Sequence, residues 1–229
     1  MNKNNNCKAS NYDWGRLILE LFVVFLGITA GFVLNNWREG KSSKELESKY
    51  IESFMTDVES NIEELENAWT SDSIWLKKAK PILGQMAVEE LNVDSAKRLI
   101  SMVVQVSKIE IHTTTYTDMV NSGNMKIIRS FNLKKEIVDY HIALEGLAFV
   151  EKYVEKHFSS FVLPFVFNKF DILKGEFIDN NILHTPEFSN IIAGYTSMIQ
   201  QREDNYSKLL KESKQFKLSL EDIIKRDGQ

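Results

Sequence analysis

The chain has 229 residues, with 28 Lys and Arg against 32 Asp and Glu and a formal charge of −4. That balance leaves no basic footprint for a nucleic-acid partner, and a single cysteine excludes a disulfide framework and any Cys-pair zinc site. Its length allows one domain with a substantial core, or an extended helical body, behind whatever the N-terminus does.

Residues 1–13 are polar and Asn-rich and read as a disordered tail. Cys7 follows Asn4, Asn5 and Asn6 rather than an apolar run, which does not fit a lipoprotein signal. From Leu17 to Leu34 the chain runs LILELFVVFLGITAGFVL, eighteen residues with Glu20 as the only charge. Trp14 and Trp37 close it on either side, about 35 Å apart at ~1.5 Å per residue, slightly more than a ~30 Å hydrocarbon core. Thirteen Leu, Ile, Phe and Val residues contribute roughly −4 to −8 kcal/mol to insertion, which outweighs one off-centre Glu. Residues 14–37 are therefore expected to form a transmembrane helix, with Trp14, Arg16 and Trp37 as interface anchors. A cleaved signal peptide is the competing reading. The run is long for a signal h-region of ~7 to 15 residues, and Phe32-Val33-Leu34 continues past the small residues near Ala30. Lys and Arg are nearly balanced across the span, so orientation rests on the short N-terminal tail and the cysteine-free remainder. Both favour an extracytoplasmic body.

Residues 38–229 contain all three prolines of the chain, and their apolar residues recur at three and four, an all-α pattern. Gly40, Ser42 and Ser43 suggest a flexible joint. Beyond it Leu46, Tyr50, Phe54, Val58, Ile62, Leu65 and Trp69 form one stripe, with charged residues between. A further segment carries Trp75 to Leu83, with Pro81 as a kink or break. Asp94 or Ser95 is expected to cap a short helix through Leu99 and Val103. Residues 103–115 have strand-like composition but no partner strand, and read as an extended connector. Thr115 is then a candidate N-cap, and Gly123 a stop. Asn132 is expected to cap a long helix reaching towards Pro164. After a looser stretch from Asn168 to His184, Thr185-Pro186-Glu187 signals a final helix to about Arg226. Arg202 and Ser213 interrupt its apolar stripe, which favours packing within the body over a free coiled coil.

With these residues in view, ELFVVFLGITAGFVLNNWRE resembles the signature of an uncharacterised family of bacterial single-pass membrane proteins, in which GE, aliphatics, GI, further aliphatics and NNW succeed one another. Glu20, Val24, Gly27, Ile28, Asn35, Asn36, Trp37 and Glu39 match in register, whereas Leu19 and Val33 depart from it. TYTDMVNSGNMKII and LKKEIVDYH are similar to a second pattern of that family. The resemblance implies a membrane-anchored helical protein of the bacterial inner membrane and supplies no activity.

Signatures of catalysis are missing from the sequence. Gly40-Lys41-Ser42 ends like a phosphate loop, but Asn35 stands where its first glycine belongs and no strand precedes it. G-x-S-x-G and H-E-x-x-H do not occur. His141 and His157, sixteen residues apart on one helix, fall nearly opposite each other, while His141 and Glu145 share a face. The aromatic run Phe158, Phe161, Phe165, Phe167 and Phe170 is too short to span a bilayer and is expected to pack in the core. Glu20 is the residue with the strongest functional claim, as an ionisable group inside an apolar span; Arg16, four residues earlier, offers a neutralising partner.

The sequence thus implies an all-α protein: an N-terminal transmembrane helix followed by an elongated helical bundle with long helices. It implies a non-catalytic, partner-binding or scaffold role in the cell envelope, without cofactor or metal. Glu20, Gly27 and Gly31 share a stripe and are the candidate self-association face of the span, giving a homo-oligomer in the bilayer alongside an unidentified envelope partner. The alternative is an accessory subunit of an ion-driven or transport complex, with Glu20 as its protonatable residue.

Overall fold

The structure is a computed structural model and describes residues 14–105 and 108–227; the N-terminal tail and Cys7 lie outside them. It is all-α apart from two two-residue strands. The chain divides between Glu47 and Ser48 into two compact units. The first is the N-terminal part of α1, which spans Trp14–Ala87. It is long and apolar enough to cross a membrane by length and composition, and none of its apolar window is buried. Thr29 returns its hydroxyl to the Phe25 carbonyl at 2.8 Å, so the polar group in the apolar run is satisfied within the helix.

In the second unit the rest of α1, α4 (Phe131–His157) and α6 (Pro186–Asp227) are the three long helices. Lys217 meets Glu59 at 2.8 Å and Lys214 meets Glu66 at 2.6 Å, so α6 runs antiparallel to α1. Their apolar faces build two clusters. One gathers Ile51, Phe54, Val58 and Leu65 with the first half of α4 and the end of α6. The other gathers Ala79 and Ile82 with the end of α4 and the start of α6, together with α2 (Val93–Val103) and α5 (Leu163–Lys169).

Several local expectations are corrected. Residues 40–43 are helical, and Pro81 sits inside α1, which continues to Ala87. The helix ends in a Schellman turn, with Glu90 N–H on the Gln85 carbonyl and Glu89 N–H on that of Met86. Glu89 holds the left-handed position at φ 59°. Asn92, not Asp94 or Ser95, caps α2 by accepting from Ser95 N–H. Ser130, not Asn132, caps α4 by accepting from Leu133 N–H at 3.2 Å. Helix α3 (Thr114–Asn121) starts before Thr115, and its cap comes from another helix: Asp57 on α1 accepts from Thr115 N–H at 2.9 Å. Gly123 stops it with φ 69°, and Thr185 caps α6, as the sequence implied.

Between Phe158 and Val162 the backbone widens into a π-turn. Pro164 follows; it has no N–H for a carbonyl four residues back and its ring would crowd that carbonyl, and the wider turn accommodates both. The aromatic run therefore splits. Phe165 is buried and Phe158 and Phe170 pack against the core, but Phe161 and Phe167 stay exposed. The stretch after Asn168 contains a hairpin, β1 (Phe170–Asp171) against β2 (Glu176–Phe177). Asp171 accepts from Leu173 and Lys174 N–H, and Gly175 takes φ 68° to close the turn.

Because the second unit buries its own apolar faces, a chain starting at Ser48 is expected to fold without the first. Circular dichroism of that fragment should give a helical spectrum with a cooperative melt; a strand-dominated or disordered spectrum would contradict it.

Candidate functional site

Between the two apolar clusters lies a layer of charge contributed by all three long helices. Asp72 comes from α1, Glu151 from α4, and Arg202 and Tyr206 from α6. Arg202 grips Asp72 with two bonds, Nε to Oδ2 at 2.8 Å and Nη2 to Oδ1 at 2.6 Å. Both side chains are about 95% buried (5% and 4% exposed). The third guanidinium nitrogen, Nη1, stands 3.6 Å from Glu151 Oε2. Tyr206 donates its hydroxyl to the other oxygen of Glu151, while Arg202 sits 5.7 Å from the centre of the Tyr206 ring. At the next residue of each helix Ser73 donates to Glu203 at 2.8 Å. A cavity of about 160 Å³ opens beside the cluster, lined by Glu151 and Arg202 with Ile109, Val154, Phe158 and Tyr195 among its walls.

Two carboxylates face one guanidinium, so one negative charge is in excess. Burial pushes the Glu151 carboxyl above its ordinary range, and the Tyr206 bond and Arg202 pull it back only in part. Asp72 is likewise raised by burial against the pull of Arg202. Burial works against the Arg202 charge as well. The Asp72 bonds and the surrounding negative groups outweigh it and hold the guanidinium charged. Tyr206 is driven upward by burial and by Glu151, and stays protonated as the donor.

Chemically this arrangement ties three helices together. Arg202 is committed to its carboxylates, and the cavity falls short of the roughly 300–1,000 Å³ typical of small-molecule sites. A neutral network lies in the adjoining cluster. Asn61 exchanges both amide bonds with the His112 backbone, at 2.9 and 2.7 Å, and also donates to Tyr140 at 3.3 Å. Ser213 lies 3.2 Å from the same Tyr140 hydroxyl and donates to the Leu209 carbonyl. Asn61, through His112, pins the connector that follows α2 onto α1.

Of the residues singled out in the sequence, Trp14, Arg16, Glu20, Gly27, Gly31 and Trp37 are all on the first unit's helix and exposed. Arg16 Nε reaches Glu20 Oε1 at 3.2 Å. Side chains added at Gly27 and Gly31 would meet nothing within 4 Å. His141 stacks on Tyr116, 3.6 Å between ring centres, with Nε2 3.4 Å from Glu145. His157 instead turns towards Gly194 and Phe161. Among the described residues no His, Cys, Asp or Glu group is placed to hold a metal ion. The sequence reading missed the clamp. Its signal was Arg202, set on an otherwise apolar stripe, as Ser213 was for the neutral network. No family model matches this chain, nor does any curated protein or solved structure.

Asp72→Ala strands a buried guanidinium and should cost about 3–5 kcal/mol, a melting-temperature drop on the order of 10 °C. The triple variant Asp72→Leu, Arg202→Met and Glu151→Gln should recover most of that loss, because no buried charge is then left without its partner; thermal melts followed by circular dichroism compare the two.

The raised Glu151 carboxyl sets a pH dependence. Its folded pKa lies above the unfolded value, so its contribution is fully present below the unfolded carboxylate pKa of about 4.3 and is lost as pH rises through the folded value. Glu151→Gln keeps an acceptor for Tyr206 and cannot ionise. The variant should therefore lose less stability than the parent between pH 4 and pH 7, measured by melts at both; equal losses would contradict the excess charge.

Proposed function

We propose that this chain is a single-pass, membrane-anchored helical protein whose body binds a partner or organises an envelope complex without catalysis of its own, and whose span self-associates. One observation carries the reading: the apolar residues 17–34 are all exposed, while the unit from Ser48 onward is packed around its own core. Eighteen apolar-rich residues left bare in water would cost far more than lipid contact, at roughly 25 cal/mol per Å². The flanking Trp14 and Trp37 suit the two interfaces. The family resemblance supports a bacterial inner membrane, and the short tail and cysteine-free body support an extracytoplasmic C-terminus.

For self-association, Gly27 and Gly31 are a small-xxx-small pair on the stripe of Glu20, open enough for a second backbone to approach. The 3.2 Å Arg16 contact favours Glu20 as a neutralised neighbour of that interface over a proton carrier of a transport complex.

Two measurements test the proposal. The chain extracted from membranes should keep its N-terminal residues by intact mass, and a reporter active only outside the cytoplasm should work when fused after Gln229. Activity of a cytoplasm-only reporter there would reverse the orientation, and loss of the N-terminus would make the segment a signal peptide. In a membrane two-hybrid assay Gly27→Ile and Gly31→Ile should each weaken association while Thr29→Ile, on the opposite face, should not.

A further inference from the structure

Helix α4 presents a second apolar face to solvent, opposite the one it buries. Ile142, Phe149 and Tyr153 are 58%, 72% and 53% exposed. Taking ~100° per residue, Ile142 and Tyr153 lie within about 40° of Phe149 around the helix, so the three form one strip. Gly146 lies between Ile142 and Phe149 along the axis and about 60° round from Phe149, and a side chain built there would meet nothing within 4 Å, which leaves a notch at the strip's edge. Along one border run Glu145 and Lys152, both exposed.

We propose that this strip docks against the same strip of a second copy, in an antiparallel contact with a two-fold axis between Gly146 and Phe149. The spacing is self-complementary. An axis midway between these residues sets Phe149 of each copy level with the Gly146 notch of the other and brings each Ile142 level with Tyr153. In an antiparallel pair the same border of each helix faces the other. Glu145 then stands about two residues, or ~3 Å, along the axis from Lys152 of the second copy. Every contact occurs twice, as an isologous interface requires. The occupant is thus argued from shape and charge together: a bulky ring beside its own notch, and an acid and a base at the offset the ring sets.

Each copy contributes about 400 Å² of apolar surface through these side chains, against the ~800 Å² per partner of a stable interface. At about half that area the contact is weak alone. It is independent of the span.

The test uses two differently tagged full-length chains co-expressed and co-captured from mild detergent, where each body is free to approach the other in either direction. In chains carrying Gly27→Ile and Gly31→Ile, which removes the span's contribution, Phe149→Glu and Gly146→Leu should each reduce co-capture at least five-fold, the latter at a site with open space around it. Glu145→Lys should reduce it, and adding Lys152→Glu to that variant should restore it, a rescue that a misfolded body could not give. Gly27→Ile with Gly31→Ile serves as the span control. Co-capture that survives the α4 variants and disappears only with the span variant would overturn the proposal, as would absence of co-capture by the parent chain or failure of the charge swap to restore it.

Discussion

The bidentate pair between Asp72 and Arg202 is the contact on which the body's architecture turns. The two apolar clusters do not meet as one continuous core: on α6 one ends at Ile199 and the other begins at Tyr206, and on α1 the buried apolar positions stop at Leu65 and resume at Ala79. Asp72, Glu151 and Arg202 occupy that seam. Dispersion and burial would tolerate a slide of one helix past another by a turn, since an apolar stripe repeats every three or four residues. A guanidinium that must meet one carboxylate on α1 and another on α4 does not tolerate it. We read the cluster as a register pin, a role for which buried charge is better suited than for net stabilisation.

The same logic explains what could be seen in the sequence and what could not. Helix periodicity survives translation into packing, so α6 and α4 were legible almost to their ends. Arg202 and Ser213 were legible as faults in a stripe. Asp72 was not, because on α1 a lone acid surrounded by Ser71, Ser73 and other polar residues looks the same whether it faces solvent or a guanidinium contributed from α6. The cap of α3 was missed for a related reason. A local reading gives Thr115 the task of capping α3, whereas the donor there is satisfied by Asp57, far away in sequence and supplied by the fold. Pro81 was read as a kink or a break because its local cost is real; the packed neighbours Ala79 and Ile82 hold the helix through it.

Exposed apolar surface has two meanings in this chain. On residues 17–34 it surrounds the whole helix, which suits lipid on every side. On α4 it is a strip with charged borders on a helix whose other face is buried, which suits a protein surface with matching edges. Hydrophobicity alone would class both as sticky. The angular distribution separates them.

Glu20 shows how pairing changes the weight of a single residue. An isolated carboxylate at mid-bilayer costs about 2.5–3.5 kcal/mol on insertion scales, a large part of what the apolar run supplies. Arg16 stands one turn nearer the end of the span and within 3.2 Å, where its long stem can carry the charged head towards the interface and draw the carboxylate with it. A proton carrier needs its carboxylate to lose that partner for part of a cycle, and here the partner is built into the same helix, at a spacing that backbone geometry fixes. On the self-association proposed above, the pair is a way of keeping an acid on the Gly27 and Gly31 stripe at low cost, and the acid's part there is a hydrogen bond to the second helix.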